Sequence, residues 1–389
     1  MDLYTLSDQF LAKDPVDEFV SAIWTERYSE AGDVQLVVPA TADMLEKLAP
    51  GTFLALRGTK EIMLLETQSI EDRLMTVVGT SLVGFLDQRL CWFQNPEYET
   101  SENPKVADYT DKTKKPGEFI SDVVNKMVIA PVPFTGTTYG PVNLDWAFDD
   151  IDKLELGPID TSGTVKRLTV PIGPLYTGIA NLAKQEGVGI SLYLDSATID
   201  FGYVLKFSTY QGKDHTTGGA FPLVRLVPDL DTLSELKEVR SVAEYKNVCY
   251  VHYQGSITTH YAEPTLPKPE GFERRVMVRD AEGEPVGHMV YSFQWTHYVI
   301  TEAEKAAFLE QNARDALANH NYIRAIDGQT SPNAEYKYGV DYGLGDIIEL
   351  QGITGIISKA RVTEYIRSQD KSGEKEYPTI SVLGGGTTP

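Results

Sequence analysis

Between Tyr342 and Glu364 the apolar residues fall in two strand-like runs. Leu344, Ile347, Ile348 and Leu350 form the first, a turn is expected over Gly352 to Gly355, and a second β-rich run leads into Ala360 to Glu364. The order Gly345-Asp-Ile-Ile-Glu-Leu350-Gln-Gly352 has a counterpart near the other end of the chain, Gly51-Thr-Phe-Leu-Ala-Leu56-Arg-Gly58. In both places a further strand follows, and a short apolar run closes on glycine (Val77-Val-Gly79 and Val382-Leu-Gly384). The pattern predicts one small β-unit used twice.

Residues 1 to 90 carry the clearest strand texture. Leu3 to Leu6, Ser21 to Trp24, Val34 to Val38, Phe53 to Arg57, Glu61 to Glu66 and Leu74 to Val78 follow one another at short intervals, with turns at Gly58 and Glu71-Asp72. That spacing predicts a small barrel or sandwich. Asp43 to Leu48 reads as a short helix through Met44, Leu45 and Leu48, and Gly79 to Leu86 as another. After Cys91 the texture changes. Asn95 to Gly117 is polar and aperiodic, as in a surface excursion, and helices are expected over Gly117 to Val128 and Leu175 to Gln185, the second stopped by Gly187. Strands then run over Gly189 to Leu194 and Gly202 to Tyr210, joined by Asp195 to Asp200.

Strand texture returns at Leu223 to Val227 and Lys246 to Tyr253. A proline-rich crossing (Pro264, Pro267, Pro269) and a helix from Thr301 to Asn319 interrupt it. Thr301 and Glu304 are spaced as a capping box at the start of that helix. The expected division is a first β-unit at 1–90, an α+β insertion at 91–221, a second β-unit split between 222–255 and 336–389, and a second insertion at 256–335. The tail Gly384 to Pro389 reads as flexible. The fold class is α+β, mainly β.

Composition narrows the function. The chain has 389 residues, 35 Lys and Arg against 56 Asp and Glu, and a formal charge of −21. A general nucleic-acid binder, which must neutralise phosphates with clustered cations, is excluded on that balance. DNA passing nearby without adhering is not. Tyr (21) outnumbers Phe (14) and Trp (4), as suits strands with half-buried aromatic faces. Met1 is followed by acidic and polar residues, so no secretory leader is expected, and no apolar run is long enough to span a bilayer.

Chemistry is sparse. The two cysteines, Cys91 and Cys249, lack metal or redox spacing and read as buried thiols. His252 with His260, and His288 with His297, lack a ligand set, and Asp214-His215 reads as turn chemistry. The acidic clusters Asp149-Asp-Ile-Asp152 and Asp229-Leu-Asp231 lack the twelve-residue calcium loop. There is no Gly-x-Ser-x-Gly, His-Glu-x-x-His or Walker pattern. No catalytic, cofactor or metal residue is therefore assigned. Arg27, Arg57, Arg73 and Arg89 are dispersed, in keeping with salt bridges to a neighbouring subunit as much as with phosphate contact.

The run Ser21-Ala-Ile-Trp-Thr-Glu-Arg-Tyr-Ser-Glu-Ala-Gly-Asp-Val-Gln-Leu-Val-Val-Pro39 resembles the N-terminal signature of tail proteins from long, non-contractile-tailed phages, many infecting actinobacteria. Gly79-Thr-Ser-Leu with Leu86-Asp-Gln-Arg89, Tyr245 to Val251, and Asp341 to Ile347 with Ala360 to Glu364 agree in order. The resemblance implies a tail-tip or baseplate hub in the virion, similar to the central hub of contractile-tailed phages. It implies a homotrimer whose chains each give two similar β-barrels to a ring, matching a six-fold tube to three-fold symmetry. The implied partners are the tail tube or distal tail protein, the tape-measure protein and fibre or receptor-binding proteins, with DNA passing through an acidic lumen. Such a chain is structural, without enzymatic activity or cofactor. Two other readings of a β-rich, tyrosine-rich chain are a peptidoglycan- or glycan-degrading enzyme and a host-glycan adhesin.

Overall fold

In the first strands alternate side chains are buried, which is why they pair as a sheet with one face inward. The computed structural model describes residues 1–91, 93–94, 106–131, 151, 153–195, 204–227, 233–281, 285, 288–291, 296–318, 320, 323–330, 336–351 and 357–383. The expected turn at Gly352 to Gly355, the connection 196–200, the cluster Asp229-Leu-Asp231, most of the 149–152 cluster and the tail from Gly384 lie outside them. The chain divides into two compact units, Met1–Lys237 with Asp327–Ser381, and Glu238–Ile326 with Val382–Pro389.

In the first unit, β1 (Leu3–Leu6), β2 (Ala12–Val16), β3 (Ser21–Arg27), β4 (Asp33–Pro39), β5 (Phe53–Leu56), β6 (Ile62–Glu71) and β7 (Leu74–Ser81) belong to one sheet. In β4 the pattern is clean: Val34, Leu36 and Val38 are buried and Gln35 is exposed. Trp24, Leu36, Leu54, Met63, Leu65, Met75 and Val77 build the core beneath. Helix α1 (Ala42–Lys47) closes over it with Met44, and Thr41 caps its first turn through the Met44 amide at 3.2 Å. The second short helix begins later than the apolar pattern suggests. Gly79, Thr80 and Ser81 finish β7, because the β6·β7 ladder continues to Met63↔Ser81, and the helix runs over Leu82–Phe85 into a 3-10 turn at Leu86–Gln88.

The insertion packs α2 (Pro116–Val124) and α3 (Leu175–Glu186) around Phe119, Ile120, Val123, Leu175, Ile179 and Phe207, with Cys91 buried in the same core. Gly187 ends α3 at φ 65, a left-handed cap that only glycine adopts without strain. Beyond α2 the chain widens into one π-helical turn, Asn125–Ile129, where a regular helix is expected to Val128. Strands β8 (Gly189–Asp195) and β9 (Val204–Tyr210) pair antiparallel, and Leu154–Leu156 adds to β9 in parallel.

The remaining strands of this sheet are β10 (Arg225–Leu226), β11 (Leu233–Ser241), β12 (Ile323–Thr330), β13 (Ile347–Gln351), β14 (Ile357–Asp370) and β15 (Gly373–Val382). The continuous path is β11-β12-β15-β14-β3-β4-β7-β6-β5-β1-β2, with β13 on β14 and β10 on β13. Thus β3-β4-β7-β6-β5 is echoed, strand for strand, by β11-β12-β15-β14-β13. The hydrogen bonds agree. Gly51 donates to Leu65 O (2.7 Å) and Leu65 to Thr52 O (2.9 Å); Gly345 donates to Val362 O (2.8 Å) and Val362 to Asp346 O (3.0 Å). Phe53↔Leu64 and Leu54↔Met63 correspond to Ile347↔Arg361 and Ile348↔Ala360. Both leading glycines have positive φ, 91° and 83°. The fold is α+β and mainly β, and among the described residues the sheet path stays open, with no closed barrel.

Of the stretch 222–255 expected in the second β-unit, Arg225–Leu226 pairs with β13, whereas Val248–Tyr253 belongs to the other compact unit. There it is the middle strand between Ser256–Tyr261 and Val276–Asp280. Its alternation explains this. Cys249 and Val251 face α4 (Glu302–Ala318) and meet Leu309, Ala313, Ala316 and Leu317, a partner that strand patterning alone does not reveal. The Thr301 capping box forms: Glu304 accepts from the Thr301 amide at 2.7 Å, and Thr301 Oγ1 accepts from the Glu304 amide at 3.2 Å. Among the described residues no helix is long and apolar enough to cross a membrane.

Candidate functional site

The two β-units meet along β3 and β14. From Glu364↔Arg27 to Gln369↔Ala22 the strands pair antiparallel over six residue pairs, so the sheet runs from one unit into the other without a break. Strand β14 reaches both because it is 14 residues long: its first part pairs with β13 and its second with β3.

Charges lock this seam. Arg27 Nε is 2.7 Å from Glu364 Oε1, while its Nη1 meets Asp33 at 2.5 Å and donates to the Ala31 carbonyl at 2.8 Å. Arg367 binds Glu26 across the strands and approaches Glu376 at 3.4 Å. Its guanidinium lies 4.8 Å from the Tyr365 ring centre, and Tyr338 stacks on Tyr365. The Arg27 guanidinium is therefore committed within its own chain, contrary to an intersubunit role for it. Arg57 lies 3.7 Å from Asp2.

Tyr28, the next residue after β3, is 2% exposed and ties three segments together. Its hydroxyl donates to the Gly187 carbonyl (2.9 Å), has the Tyr210 carbonyl at 3.2 Å, and accepts from Arg361 Nη1 at 3.1 Å. Gly345 and Gly189 leave room for the ring: a Cβ on either would lie 2.1 or 2.4 Å from it. Burial pushes the phenol above its usual value, against the Arg361 charge. The backbone agrees, with Tyr28 N–H donating to Thr363 O and Ile190 N–H to Tyr28 O, each at 2.9 Å. Nearby, Glu61 is pushed up to about 8, by burial first and by the neighbouring Glu26 carboxylate second.

A second tie runs along β13. The Lys213 amide donates to Asp346 Oδ1 at 2.6 Å and the Thr217 amide to Glu349 Oε1 at 2.7 Å, while Arg225 holds Glu349 Oε2 at 2.6 Å. Asp214 does form a turn, accepting from the Thr216 amide and hydroxyl at 3.0 and 2.7 Å. His215 is buried. Its Nδ1 is 2.8 Å from the Pro222 carbonyl, which can only accept, so Nδ1 carries the hydrogen and Nε2 faces Asp346 at 3.3 Å.

His252 and His260 do not gather. His252 opposes Ile257 and His260 opposes Cys249, so the two side chains lie on opposite faces of their sheet. His288 opposes Val299, and His297 opposes Val290. Among the described residues no three His, Cys, Asp or Glu side chains form a metal-binding group. The chemistry concentrated at the seam is that of holding segments together. Patterning did not single out Tyr28, Arg361 or Glu364 as partners, although the runs Ser21 to Pro39 and Ala360 to Glu364 contained all three.

The model of one family matches the chain over residues 4–380, that of the siphovirus ReqiPepy6 Gp37-like protein. The chain belongs to that siphovirus family. No curated protein sequence matches it. Among solved structures, it is similar to the 43 kDa tail protein of prophage MuSo2 from Shewanella oneidensis (TM-score 0.54, 13% identity, 98% of each chain covered). It is similar also to a tail protein of Neisseria meningitidis MC58 (TM-score 0.54, 10% identity, 99% of this chain and 97% of that one). A third is prophage tail protein gp18 of Listeria monocytogenes EGD-e (TM-score 0.52, 12% identity, 100% and 96%). At these identities the likeness establishes a shared fold over the full length, that of prophage tail proteins.

Proposed function

We propose that the chain is a structural virion protein, the homotrimeric hub of the tail tip, and that it has no enzymatic activity. The observation that carries this is the repeated strand order joined at the β3·β14 seam. A chain built from two units with the same hydrogen-bond register offers nearly the same surface twice, so three chains present six similar surfaces to a six-fold tube. The repeated units would act as barrel-like modules of that ring. Of the insertions inferred from the sequence, 91–221 and the part of 256–335 that precedes β12 are the parts left to engage tape-measure and fibre or receptor-binding proteins. A formal charge of −21 suits a conduit through which DNA slides without adhering.

Light scattering on the purified protein tests the oligomer. A trimer is expected, and a monomer both in solution and in assembled tails overturns the hub reading.

A further inference from the structure

The repeat assigns a partner to a strand edge. In the second β-unit, the stretch of β14 beyond Val362 receives β3 along Glu364–Gln369. By the hydrogen-bond correspondence Leu65 holds the place of Val362, so the matching stretch of β6 begins at Thr67 and runs to Glu71. That stretch pairs with β7 on one side, through Thr67↔Val78 to Glu71↔Leu74, and has no strand on its other side among the described residues. It is also open to solvent: Thr67, Ser69 and Glu71 are exposed and Ile70 is 56% exposed.

An unpaired strand edge presents a row of main-chain donors and acceptors that template another strand, and proteins ordinarily guard such an edge with Pro or Lys. The sequence Thr67-Gln-Ser-Ile-Glu71 has neither. Edge strand β2, at the end of the same sheet path, carries both Lys13 and Pro15.

We infer that the free edge of β6 pairs with β11 of a second copy of this chain. The occupant follows from the strand order. β3 stands first in β3-β4-β7-β6-β5 and pairs with β14 of the other unit. β11 stands first in β11-β12-β15-β14-β13 and, among the described residues, ends the sheet path, so β6 is the counterpart of the neighbour it lacks there. The seam inside the chain then repeats between chains, and the contact is head to tail, as ring closure requires. This rests on the trimeric hub reading and specifies its interface.

Two experiments on the full chain test the pairing. Ser69→Lys with Ile70→Lys places charge on exposed positions of the edge. The midpoint concentration for trimer dissociation is expected to rise at least tenfold, with the thermal unfolding of the individual chain unchanged. Ser69→Cys combined with Ser234→Cys or Ser241→Cys, oxidised and run without reductant, is expected to give covalently linked dimers and trimers that single-cysteine variants do not. A wild-type trimer that the lysines leave intact and that yields no such species overturns the edge assignment while leaving the hub reading standing. A monomeric wild type overturns both.

Discussion

Arg361 donates one hydrogen bond to the hydroxyl of Tyr28 at 3.1 Å and a second, from the same nitrogen, to the Gly345 carbonyl at 3.0 Å. Its guanidinium also sits 5.0 Å from the Tyr28 ring centre. Residues 333 apart in sequence thus form the joint at which both β-units and the first insertion converge. Removing the hydroxyl in Tyr28→Phe takes one of two partners from Arg361 Nη1, which keeps the Gly345 carbonyl, and one from the Gly187 carbonyl, which keeps Gln211 Nε2 at 3.1 Å. The expected loss is about 0.5–1.5 kcal/mol in denaturant unfolding, with the midpoint moved and the slope unchanged.

The two leading glycines give a sharper test, because they occupy the same place in the repeat. Gly51 has φ 91° with open space where a Cβ would stand; Gly345 has φ 83° with the Tyr28 ring 2.1 Å from that position. Gly51→Ala is expected to cost about 1–2 kcal/mol for the left-handed backbone alone. Gly345→Ala adds roughly 1–3 kcal/mol of overpacking. Equal destabilisation in chemical denaturation would refute the account of Gly345 as the site of close approach.

At the seam, Arg27 and Glu364 are each about a quarter exposed, 27% for both side chains, so their attraction is only partly screened. A double-mutant cycle with Arg27→Ala and Glu364→Ala should return a coupling of about 1 kcal/mol. A coupling indistinguishable from zero would assign the seam to main-chain pairing alone.

Glu61 governs a pH effect. Its folded carboxyl titrates near 8 instead of the ordinary 4.5, so between those values the folded chain binds a proton that the unfolded chain has released. The stability it supplies is complete below about pH 4.5 and is lost as pH rises towards 8, with a slope of at most about 1.4 kcal/mol per pH unit. Glu61→Gln removes that slope. Unfolding free energies at pH 5, 6.5 and 8 should show the variant gaining on the wild type as pH rises, and parallel curves would contradict the assignment.

Much of the fold was legible because it is local. Gly187 stops α3, Thr301 and Glu304 cap α4, and the Gly51 and Gly345 runs announce the repeated strand pair, since caps, turns and alternation depend on neighbours a few residues away. The destination of Val248–Tyr253 was not legible. Both its faces are apolar enough to enter either sheet, and the helix that covers one of them begins about fifty residues later.

The sequence by itself determined that this is an acidic, strand-rich chain with one β-motif written twice and no clustered catalytic groups, because composition and periodicity are properties of the chain alone. Only the tertiary structure decided that the two copies join into one sheet through β3 and β14, that Tyr28 meets Arg361, and that one edge of β6 has no strand beside it among the described residues. Strand pairing is chosen by main-chain hydrogen bonds, which every residue but proline offers alike, so partners hundreds of residues apart leave almost no mark on residue type.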